Sequence, residues 1–169
     1  MNELAAREAV RDWIQTNASI FVSGLTRQGA AMALNQVTRS LFTRPQQYPY
    51  IVVHCTRAWT EDIGSASRYT KSYYDMVIEI NDFAFPQEGE EHVYEEMDGA
   101  MRTLSDRMVN ALFSLTRDKI CSDGVCFQLY LEGGAGIDKR NNDTALTDQE
   151  MSVVGLILGA EITFTIMEC

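Results

Sequence analysis

Two stretches of the chain repeat their hydrophobic residues at intervals of three and four, the spacing of one face of an α-helix. The first is residues 3–16, preceded by Asn2, a residue type that often caps helices. The second is residues 91–116, whose stripe consists of Val93, Met97, Met101, Leu104, Met108, Leu112 and Leu115. Each pattern predicts an amphipathic helix. Similar spacing in residues 28–42 predicts a further helix, which ends before Pro45.

Four other stretches have the patterns of β-strands. Residues 50–59 are mostly apolar, as in a buried strand. Residues 69–81, 125–132 and 158–168 alternate apolar with polar side chains, which is typical of a strand with one buried face. The predicted order is therefore two helices followed by β-β-α-β-β.

This order predicts an α+β fold with one domain over residues 1–169. We expect a four-stranded, mainly antiparallel sheet, with the N-terminal helix and the long helix packed on one face.

A polar connection, residues 133–149, separates the last two predicted strands. Its glycines and Lys139 resemble a phosphate-binding loop only superficially, because Asp138 and Arg140 flank the lysine where the motif requires Gly and Ser or Thr. The connection is longer than an ordinary hairpin turn, and loops of that length are usually functional or disordered. We therefore expect a flexible loop that acts at a surface of the protein.

The formal net charge of −10 argues against broad binding to nucleic acid, which requires a basic face. No apolar run reaches the roughly 18 residues that span a bilayer, and the first residues lack the apolar segment of a signal peptide. We therefore expect a cytoplasmic protein with no membrane partner. The four cysteines are scattered, and a chain of this length needs no disulfide framework. No second Cys or His pair stands near Cys121 and Cys126 to complete a zinc site, so we interpret these two as small apolar residues at a strand start.

The sequence does not signal catalytic chemistry. His54 and His92 are the two histidines, and neither stands in a nucleophilic Cys–His pattern. The acidic residues around His92 match the positive end of a helix better than a cation site. We expect no enzyme activity, cofactor or bound metal.

Several segments, in this order, carry a likeness to a known family: the amphipathic first helix, "QYPYIVVHCTRAW" (47–59), the alternating "YTKSYYDMVIEIN" (69–81), the long helix, and "AEITFTIMEC" (160–169). Together they resemble the tail terminator, or tail completion, proteins of long-tailed bacteriophages, small subunits that form a ring at the end of the tail tube. The resemblance covers the first helix and most of residues 48–169. Residues 18–44 depart from it, because they are longer than the usual connection.

The resemblance implies a structural virion protein that forms a homohexameric ring, ends polymerisation of the tail tube and provides the surface for head joining. Its implied partners are other copies of itself, the tail tube protein and the head–tail connector or neck protein. DNA would pass through the ring without sequence-specific binding. The implied location is the virion tail, after assembly in the host cytoplasm.

Candidate contact residues lie in two predicted loops. The connection 133–149 is a candidate for the assembly surface or the ring channel through Asp138, Lys139, Arg140, Asn141, Asn142 and Asp143. The loop 60–68 is a candidate for contact with the tube or neck through Glu61, Asp62 and Arg68. Two other functions stay open: a phage neck or head-closure protein, and a non-viral α+β adaptor.

Overall fold

The computed structural model of the chain describes residues 1–34, 36–38, 47–64, 70–84, 91–132 and 136–169. Within these residues the α-helices are α1 (Glu3–Phe21) and α2 (Glu91–Leu112), and a 3-10 turn (Phe113–Thr116) continues α2. The strands are β1 (Thr26–Arg27), β2 (Ala30–Ala31), β3 (Val37–Thr38), β4 (Tyr50–Asp62), β5 (Thr70–Ala84), β6 (Ile120–Ser122), β7 (Val125–Tyr130), β8 (Asp138–Asn141), β9 (Thr144–Thr147) and β10 (Val153–Glu168).

The described residues form one mixed sheet of eight strands and a separate two-stranded hairpin, β1–β2. The main path of the large sheet is β3-β4-β5-β10-β7-β6, and β8 and β9 also pair with β10. Among the described strands of this sheet, β3 and β4 pair in parallel and all other pairs are antiparallel. The prediction of a four-stranded, mainly antiparallel sheet is therefore wrong. The four predicted strands correspond to β4, β5, β7 and β10, and short strands that the pattern did not predict complete the sheet.

Strand β10 is the centre of this sheet. On one side it pairs with β5 from Leu156 to Met167. On its other side it pairs in succession with β9, β8 and β7, so that these three strands follow each other along the same edge of β10. Along most of its length, β10 therefore has a paired strand on both sides.

The expectation of a flexible loop over residues 133–149 is corrected by this pairing. Residues 133–135 lie outside the described residues, but Asp138–Asn141 and Thr144–Thr147 are strands with fixed registers on β10. Apart from Ala145 and Leu146 their side chains are polar, and most of them are exposed. An outer strand needs no apolar face when backbone hydrogen bonds to a central strand hold it, and for this reason polarity alone did not reveal these strands.

Both helices pack on one face of the sheet. The residues of β5 that face them are fully buried, and they are Tyr74, Met76, Ile78 and Ile80. The stripe predicted for α2 is equally buried from Met97 to Leu115, where every one of its members is at most 2% exposed. The alternation and the helical stripe therefore identified the two sides of the core correctly.

The first helix extends beyond its predicted end at residue 16. Asn17, the first residue beyond the predicted end, lies within the helix and donates its side-chain N–H to the carbonyl of Trp13 (2.8 Å). The extra turn buries Phe21, whose ring meets that of Trp13 edge-on at 5.5 Å. Asn2 precedes α1, but its side chain makes no capping hydrogen bond.

The helix predicted for residues 28–42 is wrong wherever the structure describes that segment. Residues 35 and 39–46 lie outside the described residues. Gln28 and Gly29 form the turn of the hairpin β1–β2, with φ of 51° and 77°. Two successive residues with positive φ are incompatible with a right-handed helix and are typical of a type I′ turn. The apolar residues Met32, Leu34 and Val37 are still buried in the core.

Candidate assembly surface

The hairpin formed by β9 and β10 carries the most exposed apolar residues of the sheet. Met151 is 78% exposed, Val153 51%, Val154 48% and Leu146 36%. These residues lie at the turn end of the hairpin, where neither helix covers the strands. Large apolar side chains that a fold leaves in water together usually mark a contact surface. We call these four residues the hairpin patch.

The turn between β9 and β10 is organised by Asp148. Its carboxylate accepts the backbone N–H groups of Glu150 and Ser152, both at 2.9 Å. Its own N–H donates to the carbonyl of Ser152 (2.9 Å), which closes the turn. Met151 has a φ of 64°, an uncommon backbone conformation for a residue other than glycine, and its side chain is exposed. The hairpin patch is therefore presented by a defined turn.

Strand β8 contains four of the predicted contact residues: Asp138, Lys139, Arg140 and Asn141. Lys139 is half-buried, and its ammonium forms an ion pair with Asp106 of α2. Arg140 is exposed and lies directly opposite Glu161 of β10. Lys139 and Arg140 therefore have different surroundings. Lys139 links β8 to α2 through its ion pair, whereas the side chain of Arg140 is exposed to solvent near a carboxylate.

Asn142 and Asp143 form the corner between β8 and β9. The N–H of Asn142 donates to the carbonyl of Gly159 (2.8 Å), and the N–H of Gly159 donates to the Asp143 carboxylate (3.4 Å). A side chain at position 159 would meet the Asn142 carbonyl, because a β-carbon built there lies 2.7 Å from that oxygen. These two predicted contact residues therefore hold the edge of the sheet together.

The second predicted contact loop begins at the end of β4. Glu61 and Asp62 belong to that strand and pair with Lys71 and Thr70 of β5. Arg68 lies outside the described residues. An open cleft of about 430 Å³ lies beside these strand ends, and its wall includes Glu61, Asp62 and Glu132. The structure thus brings Glu61 and Asp62 together, and Glu132 of the segment after β7 adds a third carboxylate.

Aromatic rings continue from this cleft along the helix-free face of the sheet. The rings of Trp59 and Tyr73 stack at 5.3 Å, and Tyr130 meets Tyr73 edge-on at 4.8 Å. The guanidinium of Arg57 lies 4.6 Å from the centre of the Trp59 ring. Burial raises the pKa of Tyr73, and the negative charge of Glu61 adds to the effect. Sequence reasoning placed these residues on strands but did not predict that they meet.

His54 and Cys55 are neighbours in β4, yet their side chains lie on opposite faces of the sheet. His54 Nε2 is 3.5 Å from a carboxylate oxygen of Glu79 on the helix-free face. Cys55 packs against the core, its thiol donates to the carbonyl of Arg57 (3.3 Å), and burial raises its pKa. These two residues therefore do not form a Cys–His pair. Within the described ranges no three His, Cys, Asp or Glu side chains are grouped to hold a metal ion.

Cys121 and Cys126 form a disulfide, which corrects the expectation that they are unpaired apolar residues. They lie directly opposite each other in the hairpin β6–β7. The turn consists of Asp123 and Gly124, with φ of 50° and 76°. An Asp-Gly pair between two strands is a strong hairpin signal, and recognising it would have placed the two cysteines side by side.

No protein-family model matches this chain, and no curated protein matches it. Among the described residues, no helix is both long and apolar enough to cross a membrane.

Proposed function

We propose that this chain is a structural subunit of a phage tail: a tail terminator that assembles into a ring, ends growth of the tail tube and provides the surface for head joining. The sequence resemblance to that family motivates the proposal. The hairpin patch is the observation that carries it, because its four large apolar side chains lie exposed at the turn end of the hairpin β9–β10, where they add little to the core.

A ring requires each subunit to use two different surfaces, one for each neighbour. The hairpin patch is one such surface, and burying its apolar area against a neighbouring copy would contribute about 25 cal/mol per Å² removed from water. A hexamer is the ring size that the family resemblance implies. In this proposal the chain is structural and not catalytic, and it needs no cofactor.

The net charge of −10 fits a ring through which DNA passes without sticking. Arg140 is exposed, but Glu161 lies opposite it, and the charge of Lys139 is compensated by Asp106. The surface around β8 therefore offers little net positive charge to phosphate groups. This balance supports passage of DNA over sequence-specific binding.

The test compares particles formed by the wild-type chain and by the triple variant Met151→Asn, Val153→Thr and Val154→Thr. Asn suits the positive φ at position 151, and Thr keeps the branched shape that strands favour. We expect rings in negative-stain images of the wild type, alone or with purified tail tubes, and only monomers of the variant with unchanged circular dichroism. The matched control, Leu4→Gln with Ile20→Gln, removes exposed apolar residues from α1 and should still form rings.

Wild-type protein that stays monomeric in sedimentation at high concentration and in the presence of tail tubes would contradict the proposal. Rings that bind connector particles but not tail tubes would instead favour a neck or head-closure protein. Variant rings as abundant as those of the wild type would show that the hairpin patch is not the contact.

A further inference from the structure

Three cysteines, two from the hairpin β6–β7 and one that follows β10, lie in one row across adjacent strands. Cys121 of β6 is paired with Cys126 of β7, and the two form the disulfide. Cys169 follows β10, whose last paired residue, Glu168, lies opposite Phe127. The N–H of Cys169 donates to the carbonyl of Cys126 (2.9 Å), so the register continues and Cys169 lies opposite Cys126. Cys126 therefore has a cysteine on each side.

The three side chains share one face of the sheet. Phe127 is fully buried and points toward the helices, so alternation places Cys126 on the helix-free face. Residues directly opposite each other in antiparallel strands point to the same face. Cys121 and Cys169 are therefore on that face as well, and both are exposed.

The spacing of the strands places Cys169 within bonding reach of Cys126. Hydrogen-bonded opposite residues in antiparallel strands have Cα atoms about 5.5 Å apart. Disulfides usually join residues whose Cα atoms are roughly 4.4–6.8 Å apart, and those of Cys121 and Cys126 are 4.0 Å apart. Cys121 and Cys169 are two strands apart, about 10 Å, which is beyond that range. Cys126 is thus the one member of the row that can bond to either neighbour.

We propose that Cys121, Cys126 and Cys169 form a thiol–disulfide exchange site in which Cys126 bonds alternately to Cys121 and to Cys169. The thiolate of Cys169 attacks Sγ of Cys126, and a Cys126–Cys169 bond forms as the Cys121–Cys126 bond breaks. The electron pair leaves on Sγ of Cys121, which takes up a proton equivalent to the one that Cys169 released. The step needs no external oxidant or reductant.

The order of the row suits this reaction. Attack on a disulfide sulfur proceeds with the entering and leaving sulfurs on opposite sides, and Cys169 and Cys121 flank Cys126 from opposite strands. Exchange moves the covalent link from the hairpin β6–β7 to the junction of β7 with the residue after β10. It also releases the thiol of Cys121 at the outermost strand, where a thiol or disulfide of a partner molecule can reach it.

The first experiment uses the purified, oxidised full chain and a low concentration of iodoacetamide without reductant. Slow alkylation traps each state as it appears, and mass spectrometry of unreduced peptides identifies the linkage. We expect two products: alkylated Cys169 with the Cys121–Cys126 bond, and alkylated Cys121 with the Cys126–Cys169 bond. In Cys169→Ser, alkylation of Cys121 should fall at least tenfold. Wild-type protein that yields only the first product at every reagent concentration overturns the proposal.

The second experiment tests reach independently of rate. Variants are oxidised in a buffer of reduced and oxidised glutathione, after circular dichroism has shown that they are folded. We expect Cys121→Ser to form the Cys126–Cys169 bond in most molecules. Cys126→Ser is the matched control and should form no internal disulfide. Cys55→Ala should behave as the wild type, because Cys55 lies on the helix-covered face of β4. A Cys121→Ser protein in which Cys126 and Cys169 both remain fully open to alkylation overturns the proposal.

Discussion

The carboxylate of Asp82 is buried in the core and is held by Arg27. The Nε atom of Arg27 is 3.0 Å from both carboxylate oxygens, and Nη2 is 2.9 Å from Oδ1. Nη2 also donates to the carbonyl of Phe83 (3.1 Å). Asp82 is 1% exposed, and Arg27 comes from the hairpin β1–β2. The ion pair therefore fastens that hairpin to the central sheet.

We expect Arg27→Met to lower the free energy of unfolding by about 3 kcal/mol, because it leaves a buried carboxylate without its partner. The double variant Arg27→Met with Asp82→Leu should recover much of this loss, since both charges are then absent. Urea unfolding measures both. Arg102→Met is the matched control, because it removes an exposed pair with Asp98 and should leave stability almost unchanged. A single variant as stable as the wild type would contradict the assigned role of Arg27.

Because of Tyr74, we expect the free energy of unfolding to fall at alkaline pH. Its hydroxyl donates to Glu168 (3.0 Å) and accepts the N–H of Asn2 (2.8 Å). Burial is the main reason that its pKa is raised from 10.0, and Glu168 adds to it. Above pH 10 the unfolded chain releases this proton while the folded chain keeps it. The unfolded state then binds fewer protons, so the free energy of unfolding falls as pH rises.

We expect Tyr74→Phe to cost about 1 kcal/mol at pH 7 through the lost hydrogen bonds, and to decline less steeply than the wild type above pH 10. Urea unfolding at several values between pH 7 and 11.5 provides the measurement. Tyr48→Phe, which changes an exposed ring, is the comparison variant. Equal alkaline slopes for wild type and Tyr74→Phe would show that this tyrosine does not contribute.

We expect substitution by alanine to change the free energy of unfolding in opposite directions at two glycines. Gly159→Ala should lower the free energy of unfolding by about 1–3 kcal/mol, because the new methyl group would lie 2.7 Å from the Asn142 carbonyl. Gly99→Ala should raise it by about 0.5–1 kcal/mol, since a helix residue with open space around it gains helix propensity. Thermal unfolding of both variants and of the wild type measures these two changes. A harmless Gly159→Ala would mean that β8 and β9 do not lie against β10 as described.

The adjacent basic residues of β8 should separate structural from surface roles. Lys139→Glu should lower the free energy of unfolding by about 0.5–1 kcal/mol, because it replaces the ion pair with Asp106 by a repulsive contact. Arg140→Glu places a second carboxylate opposite Glu161, but position 140 is exposed and exposed charge contacts contribute little, so we expect a loss of less than about 0.5 kcal/mol. Denaturant midpoints measured side by side test this. A larger loss for Arg140→Glu than for Lys139→Glu would reverse the assignment.

The residue pattern determined the parts of the fold that depend on local periodicity. The stripe of α2 and the alternation of β5 and β10 both follow from which side chains must leave water, and both could be predicted. The Asp123-Gly124 turn is also a local feature of the sequence, because an Asp-Gly pair between two strands favours a two-residue hairpin turn. Cys121 and Cys126 are opposite each other because of that turn, so their pairing belongs to the same local category.

Other features depend on which distant segments meet. Residues 138–147 are mostly polar and have the pattern of a loop, and backbone pairing with β10 makes strands of Asp138–Asn141 and Thr144–Thr147. The hairpin β1–β2 is attached through Arg27 and Asp82, which are 55 positions apart. The position of the hairpin patch likewise depends on where the helices stop covering the sheet. No local pattern encodes these features, because each depends on the pairing order of strands.

The row of Cys121, Cys126 and Cys169 combines a feature set by the local sequence with a feature set by the tertiary structure. A two-residue turn, readable in the sequence, puts Cys121 beside Cys126. Cys169 joins them only because β10 pairs with β7, and that neighbour is chosen by the burial of both strands against the helices. Periodicity reports which face of a strand is buried, since burial acts on each residue separately. It does not report which strand lies next to which, because that depends on the packing of the whole chain.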